Sequence, residues 1–95
     1  MRIAFLRSAR LDAEWFREYY GNVFPSGGSG AATHFREAKR LLKAYPQIGQ
    51  PSDTADLREL QILKTPFVIV YRIRADEIQI IRIWDQRAER PKSWT

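Results

Sequence analysis

No cysteine occurs among the 95 residues of this chain. That absence excludes a disulfide scaffold, a thiol nucleophile and cysteine-based zinc sites, and it fits a reducing cytoplasm. Histidine occurs once, at His34. No serine, aspartate or second histidine is spaced to help it, so it reads as an ordinary helix-surface residue. The nearest thing to a carboxylate pair is Asp53 and Asp56, which stand in a loop-like stretch without further ligands and read as solvated loop acids. No apolar run approaches the ~20 residues of a membrane span. The opening MRIAFLRSAR is too short and too interrupted by arginine for a signal peptide. Glycine is sparse, and three of the five fall in FPSGGSG, residues 24 to 30. A phosphate-binding loop would need Gly-Lys-Ser/Thr after it; none follows, so the stretch reads as a helix–helix connector. Neither a cofactor nor a metal is expected.

What remains is enough to fold. The chain is 44% hydrophobic and 13% aromatic, sufficient for one core and too short for two, so residues 1–95 form one domain. Sixteen Lys and Arg stand against eleven Asp and Glu, for a net charge of +5, and the sequence pI is near 10.0. Twelve of the sixteen cations are arginine, the side chain suited to planar, bidentate contact with carboxylate or phosphate. An acidic partner is expected, either nucleic acid or an acidic protein.

Periodicity supplies the elements. MRIAFLR alternates Ile3, Phe5 and Arg7 against Arg2, Ala4 and Leu6, a short strand. Ser8 is placed to cap a helix whose apolar stripe is Leu11, Trp15, Phe16, Tyr19 and Val23, with Asp12 and Glu14 in its first turns. That helix is expected to stop near Gly21. A second helix spans about 31–45, burying Ala31, Phe35, Ala38, Leu42 and Tyr45. Its opposite face carries Arg36, Lys39, Arg40 and Lys43, a solvated stripe or a contact for an acidic partner. Pro46 ends it. LRELQILK (57–64), FVIVYRIRA (67–75) and IQIIRIW (78–84) read as strands, the last two joined by a turn at Asp76-Glu77. The predicted pairing sets Ile73 against Ile80, Ile69 against Trp84 and Ala75 against Ile78. The opposite face then carries Arg72, Arg74 and Gln79, followed by Val70, Ile81 and Ile83. Two helices can cover only one face of such a sheet, so a second cover is needed. The order β-α-α-β-β-β predicts an α+β fold, a helical hairpin packed on a small, mainly antiparallel sheet.

Four pieces in order, Tyr45-Pro46 through Gly49-Gln50-Pro51, then LREL, FVIVYRI and IIRIWDQR, resemble the RelE/ParE superfamily of bacterial toxins from type II toxin–antitoxin systems. The resemblance spans essentially the whole chain. It implies a cytoplasmic toxin neutralised by a small antitoxin with an acidic C-terminal segment and a DNA-binding N-terminus.

Members of this superfamily divide by target, the RelE-like branch cutting messenger RNA in the ribosome and the ParE-like branch poisoning DNA gyrase. The RNA-cutting branch carries two lysines on the second strand, an arginine on the third, an arginine after the fourth and a tyrosine near the C-terminus. Such groups activate a 2′-hydroxyl, steady phosphate charge and donate a proton. Here the lysine positions fall at Glu59 and Gln61 and the third-strand arginine at Val68. Arg87 matches the arginine after the last strand, and the tyrosine position falls near Ser93 and Trp94. A register shift of one or two residues would substitute Arg58, Lys64 and Arg72. Glu59 in LREL is closer to the ParE-like pattern, which implies a toxin that binds without chemistry, with no catalytic residues. The alternatives are a RelE-like ribosome-dependent endoribonuclease and a basic nucleic-acid-binding module; the second lacks an evident base-stacking platform.

Within that reading the stretch IIRIWDQRAERP, which sheds charges after its last apolar residue, is the rim of a protein-binding surface. Target-binding residues are expected at Arg87, Arg90, Lys92 and Trp94, where Trp94 either meets the partner or packs the tail onto the sheet. Antitoxin-binding residues are expected on the hairpin's second face at Val70, Arg72, Arg74, Ile81 and Ile83.

Overall fold

Hydrophobic alternation and its interruptions decide the architecture of this chain, seen in a computed structural model that describes residues 1–23, 30–92 and 94. The side chain of Val23, most of the 24–30 connector and Ser93 lie outside the described residues. In chain order the elements are β1 (Arg2–Phe5), α1 (Arg7–Glu18), a π-helical turn (Tyr19–Val23) and α2 (Ala31–Ala44). Four strands follow: β2 (Gln50–Pro51), β3 (Arg58–Gln61), β4 (Phe67–Arg74) and β5 (Glu77–Asp85). They form one five-stranded sheet in the order β1-β5-β4-β3-β2, antiparallel except where β1 lies parallel to β5. The expected α+β fold is therefore present, with a short additional strand at Gln50–Pro51.

The helices cover one face of the sheet. Ile3 and Phe5 of β1, Ile69 and Tyr71 of β4, and Ile78, Ile80 and Ile83 of β5 share a core with Ala9, Ala13, Phe16, Ala31, Phe35, Ala38 and Leu42 from the helices. On α1 the buried positions are Ala9, Ala13 and Phe16, a narrow, small-residue face that lets the helix lie close to the sheet. The expected stripe is thus rotated. Leu11 is 58% exposed and Trp15 52% exposed, although Trp15 still stacks on Tyr19 at 5.0 Å. On α2 the expected face is buried except for Tyr45, which is exposed where the helix ends. Ser8 does not cap α1: Leu6 occupies that position without a side-chain bond, and its carbonyl accepts from Arg10 N–H at 3.0 Å. The helix does not run straight to Gly21 but widens after Glu18 into the π-helical turn.

Three details of the sheet differ from expectation. The tight turn is Ala75-Asp76, with Arg74 opposite Glu77 and Ile73 opposite Ile78, and Ala75 adopts φ 54° to make it. Between Val70 and Tyr71 the register shifts, so Tyr71 pairs with Ile80 while Val70 pairs with Arg82. Ile81 is the extra residue of this β-bulge, and it reverses the alternation of everything after it. Ile83 accordingly points at the helices. Finally, β3 is shorter than 57–64 because the chain turns at Leu63-Lys64, with Lys64 at φ 61°.

Where β1 ends, α1 takes over the edge of β5. Asp12 receives the Ile83 N–H at 2.9 Å and two bonds from the Arg82 guanidinium at 2.7 and 3.1 Å. A carboxylate from the helix thus replaces the next strand carbonyl and fixes the helix against the sheet.

Candidate partner-binding surfaces

The second face of the sheet is where the resemblance-based positions meet. Register places Glu59 opposite Val70 and Val70 opposite Arg82, while in the next row Gln61 lies opposite Val68 and Val68 opposite Trp84. Glu59, Gln61 and Val68 therefore do stand together. None is a free cation. Gln61 spends its amide on the backbone carbonyls of Ile62, Thr65 and Phe67 at 3.2, 2.6 and 3.1 Å, tying down the β3–β4 turn. Val68 is buried.

Glu59 is engaged by the tail. After β5 the chain doubles back: Gln86 N–H donates to the Pro66 carbonyl at 2.8 Å, and Arg87 folds onto Asp85, its Nη2 2.8 Å from Oδ2. Arg90 then reaches Glu59 with both terminal nitrogens, at 2.9 and 2.6 Å. Its guanidinium lies 5.6 Å from the ring centre of Trp94, which meets Trp84 edge-on at 5.3 Å. Trp94 is 7% exposed and forms a second core with Leu57, Val68, Val70 and Ile81, against which Leu6 and Trp84 pack. The missing second cover is this: Leu57 and the returning tail. Among the described residues the Trp84 indole N–H is buried without a hydrogen-bond partner.

Electrostatics follows the pairing. The hydrogen bonds from Arg90 hold the Glu59 carboxyl below its ordinary range, against the opposing effect of burial. Asp85 is lowered in the same way by Arg87, while Arg87 is raised by its bonds to Asp85 and Tyr19. A carboxylate neutralised by its own arginine offers a phosphodiester neither a lysine-like activator nor a proton donor at neutral pH.

Arg87 and Arg90 are on the tail and ion-paired within the chain; Lys92 is exposed there. Arg72 is half-buried and bonds Gln79 at 2.8 Å, and Arg74 is exposed beside the hairpin turn. Val70 and Ile81 lie under Trp94 and Leu57 rather than in an open groove, and the bulge takes Ile83 to the helix side. Asp53 and Asp56 are exposed.

Sequence reasoning missed two features. The pairing of Glu59 with Arg90 joins residues 31 positions apart and leaves no local signal. The Tyr45-to-Pro51 stretch was singled out by resemblance only; the structure gives it a physical role, since the Tyr71 hydroxyl donates to the Pro46 carbonyl and accepts from Gly49 N–H, each at 2.8 Å.

Comparison with known proteins agrees with this geometry. The sequence profile of the family described as "ParE toxin of type II toxin-antitoxin system, parDE" matches residues 3–90. A solved structure titled "Chromosomal ParDE TA system from P. aeruginosa" contains a chain 28% identical to this one. The match covers 87% of this chain and 92% of that chain with a TM-score of 0.70. No curated protein sequence matches. The chain belongs to the ParE toxin family of type II toxin–antitoxin systems. Such a system implies a cognate antitoxin as its partner. Among the described residues no helix is long and apolar enough to cross a membrane.

Proposed function

We propose that this ParE-like toxin arrests growth by binding DNA gyrase in the cytoplasm, without chemistry of its own, and that its antitoxin neutralises it through an acidic segment. The observation that carries the reading is the capture of Glu59 by Arg90. At the position where the RNA-cutting branch places a lysine, this chain has an ion pair that fastens its own tail. Family membership and the +5 charge support it further.

On this reading the tail is the target-facing element. Lys92 presents a free charge, Arg87 and Arg90 present guanidinium groups already paired with Asp85 and Glu59, and Trp94 holds the segment in position from beneath. The antitoxin meets Arg72 and Arg74 at the hairpin; Val70 and Ile81 become available to it only when the tail lifts.

A supercoiling assay with purified gyrase, run beside a translation assay, tests the proposal. Inhibited supercoiling with intact messages is the expected result. Codon-specific cleavage of messages on translating ribosomes, abolished by Arg87→Ala, would overturn it in favour of the ribonuclease.

A further inference from the structure

Helix α1 turns its small residues inward and two of its large ones outward. The buried positions are Ala9, Ala13 and Phe16, whereas Leu11 and Trp15 are each more than half exposed. On α2 the bulky Phe35 and Leu42 are buried, so the inversion belongs to α1. Leu11, Glu14, Trp15 and Glu18 stand at i, i+3, i+4 and i+7, which sets them on one helix face, and all four are exposed. The Trp15 indole is nonetheless held in place. It stacks on Tyr19 at 5.0 Å with the rings 15° apart and leans on Phe67 at 5.8 Å. Tyr19 packs edge-on against Tyr20 and bonds Arg87 at the root of the tail. An exposed ring fixed in this way has little left to lose in ordering when a partner arrives.

We infer that the outer face of α1 is an anchor by which the toxin grips its target protein, Leu11 and Trp15 entering an apolar groove on the target while Glu14 and Glu18 meet basic side chains on the rim of that groove. The inference rests on the gyrase-binding reading above and gives that contact a second element, continuous with the tail through Tyr19 and Arg87. Helices dock in grooves by apolar anchors at this spacing, and an indole is a frequent hot spot. Charge selects the occupant. Among the described residues neither Glu14 nor Glu18 has an ion-pair partner, and the cation of the same face, Arg7, stands one turn before Leu11. Two unpaired carboxylates flanking Trp15 repel the acidic segment expected of the antitoxin. They repel phosphate equally, so nucleic acid is disfavoured although the indole could stack on a base. A second copy of the chain would gain only the two anchors, far short of the ~800 Å² per partner of a standard stable interface. The target meets the tail as well.

The test uses the full chain, purified gyrase and the antitoxin encoded beside the toxin. Leu11→Ser/Trp15→Ala removes the anchors, and Glu14→Lys/Glu18→Lys reverses the exposed charges while leaving the anchors in place. The toxin concentration that half-inhibits supercoiling is expected to rise at least tenfold in the first variant. In the second it should rise several-fold, since each exposed charge contributes a few-fold. Antitoxin affinity should stay within twofold of the unmodified chain's in both. Should the anchor variant melt lower, the charge-reversal variant carries the test alone. Inhibition by both variants equal to that of the unmodified chain overturns the face and leaves the gyrase reading in place. Weakened antitoxin binding with inhibition intact overturns it in favour of the antitoxin. A dimer of the unmodified chain in sedimentation, lost in the anchor variant with inhibition intact, overturns it in favour of a second copy. If the unmodified chain leaves supercoiling untouched, the face and the reading beneath it fall together.

Discussion

Gly49 lies against Tyr71 so closely that a β-carbon on the glycine would stand 2.6 Å from the tyrosine hydroxyl. The contact is a hydrogen bond at both ends of that hydroxyl, from Gly49 N–H and to the Pro46 carbonyl. Burial raises the phenol above its ordinary pKa, so the hydroxyl keeps its proton and goes on donating through the neutral range. One buried side chain from the middle of the sheet therefore anchors Pro46 and Gly49 in the link between α2 and β3, where Arg58 also donates to the Gln47 and Gly49 carbonyls.

Gly49→Ala is expected to lower stability by about 2 kcal/mol, because the neighbour it strikes is a fully buried ring that cannot swing aside. Tyr71→Phe should lose roughly 1–3 kcal/mol by leaving Gly49 N–H unsatisfied in the interior. Urea unfolding of both variants checks this; a Gly49→Ala midpoint equal to that of the unmodified chain would show the link is not held in this way.

Asp12 is the second anchor. Asp12→Ala removes the acceptor for Ile83 N–H and strands the half-buried Arg82, for an expected loss of about 2–3 kcal/mol. Asp12→Asn keeps one acceptor oxygen and should lose less. Thermal melting of the pair in one buffer reads the difference, and equal melting of all three proteins would contradict the anchoring role.

Much of this was legible in the sequence and some was not. Ala31, Phe35, Ala38 and Leu42 recur at helical spacing and are buried as the period demands. On α1 the period was right and the phase wrong: bulky Leu11 and Trp15 outweigh Ala9 and Ala13 by eye, yet close approach of helix to sheet selects the small residues. The hairpin strands were legible, but the turn was set one residue late, and a bulge has no signature within β-branched IQIIRIW. That single extra residue moved Ile83 from the expected antitoxin face to the helix side. Contacts between distant parts of the chain, Asp12 with Arg82 and Glu59 with Arg90, could not be read because charge complementarity alone does not choose among twelve arginines. The tail could be read as either partner surface or cover, and its burial decides that Trp94 serves as cover.

Trp94→Ala should therefore lower the melting point, with a loss of about 3 kcal/mol as Val68, Val70 and Ile81 become wet. Its toxicity cannot be interpreted apart from that loss. Lys92→Ala touches only exposed charge and should change stability by no more than ~1 kcal/mol, whereas Arg90→Ala leaves the half-buried Glu59 carboxylate without its partner and should lose roughly 1–3 kcal/mol. A Trp94→Ala melt matching the unmodified protein would mean the tail does not pack on the sheet in solution.

Acid should loosen the same tail. The folded Glu59 carboxyl is held below the ordinary glutamate value of 4.5 by Arg90. Its contribution is fully present above that value and is lost as pH falls through the lower, folded one. Hydrogen exchange in residues 84–92 is expected to rise across that acidic window and, in Glu59→Gln, to be raised already at neutral pH. Tail protection unaffected by Glu59→Gln would separate the ion pair from the docking of the tail.

The parallel pairing of β1 with β5 carries a consequence for the timing of synthesis. Arg2 is opposite Glu77 and Phe5 opposite Ile80, so β1 has no seat in the sheet until β5 has been synthesised. Helices can form early from local contacts, but closure over so long a sequence separation comes late. A polypeptide made only as far as β4 therefore lacks the strand on which β1 pairs. Chains ending at Asp76 should accordingly show no cooperative melt; a sharp transition in that fragment would mean the sheet matures before its final strand arrives.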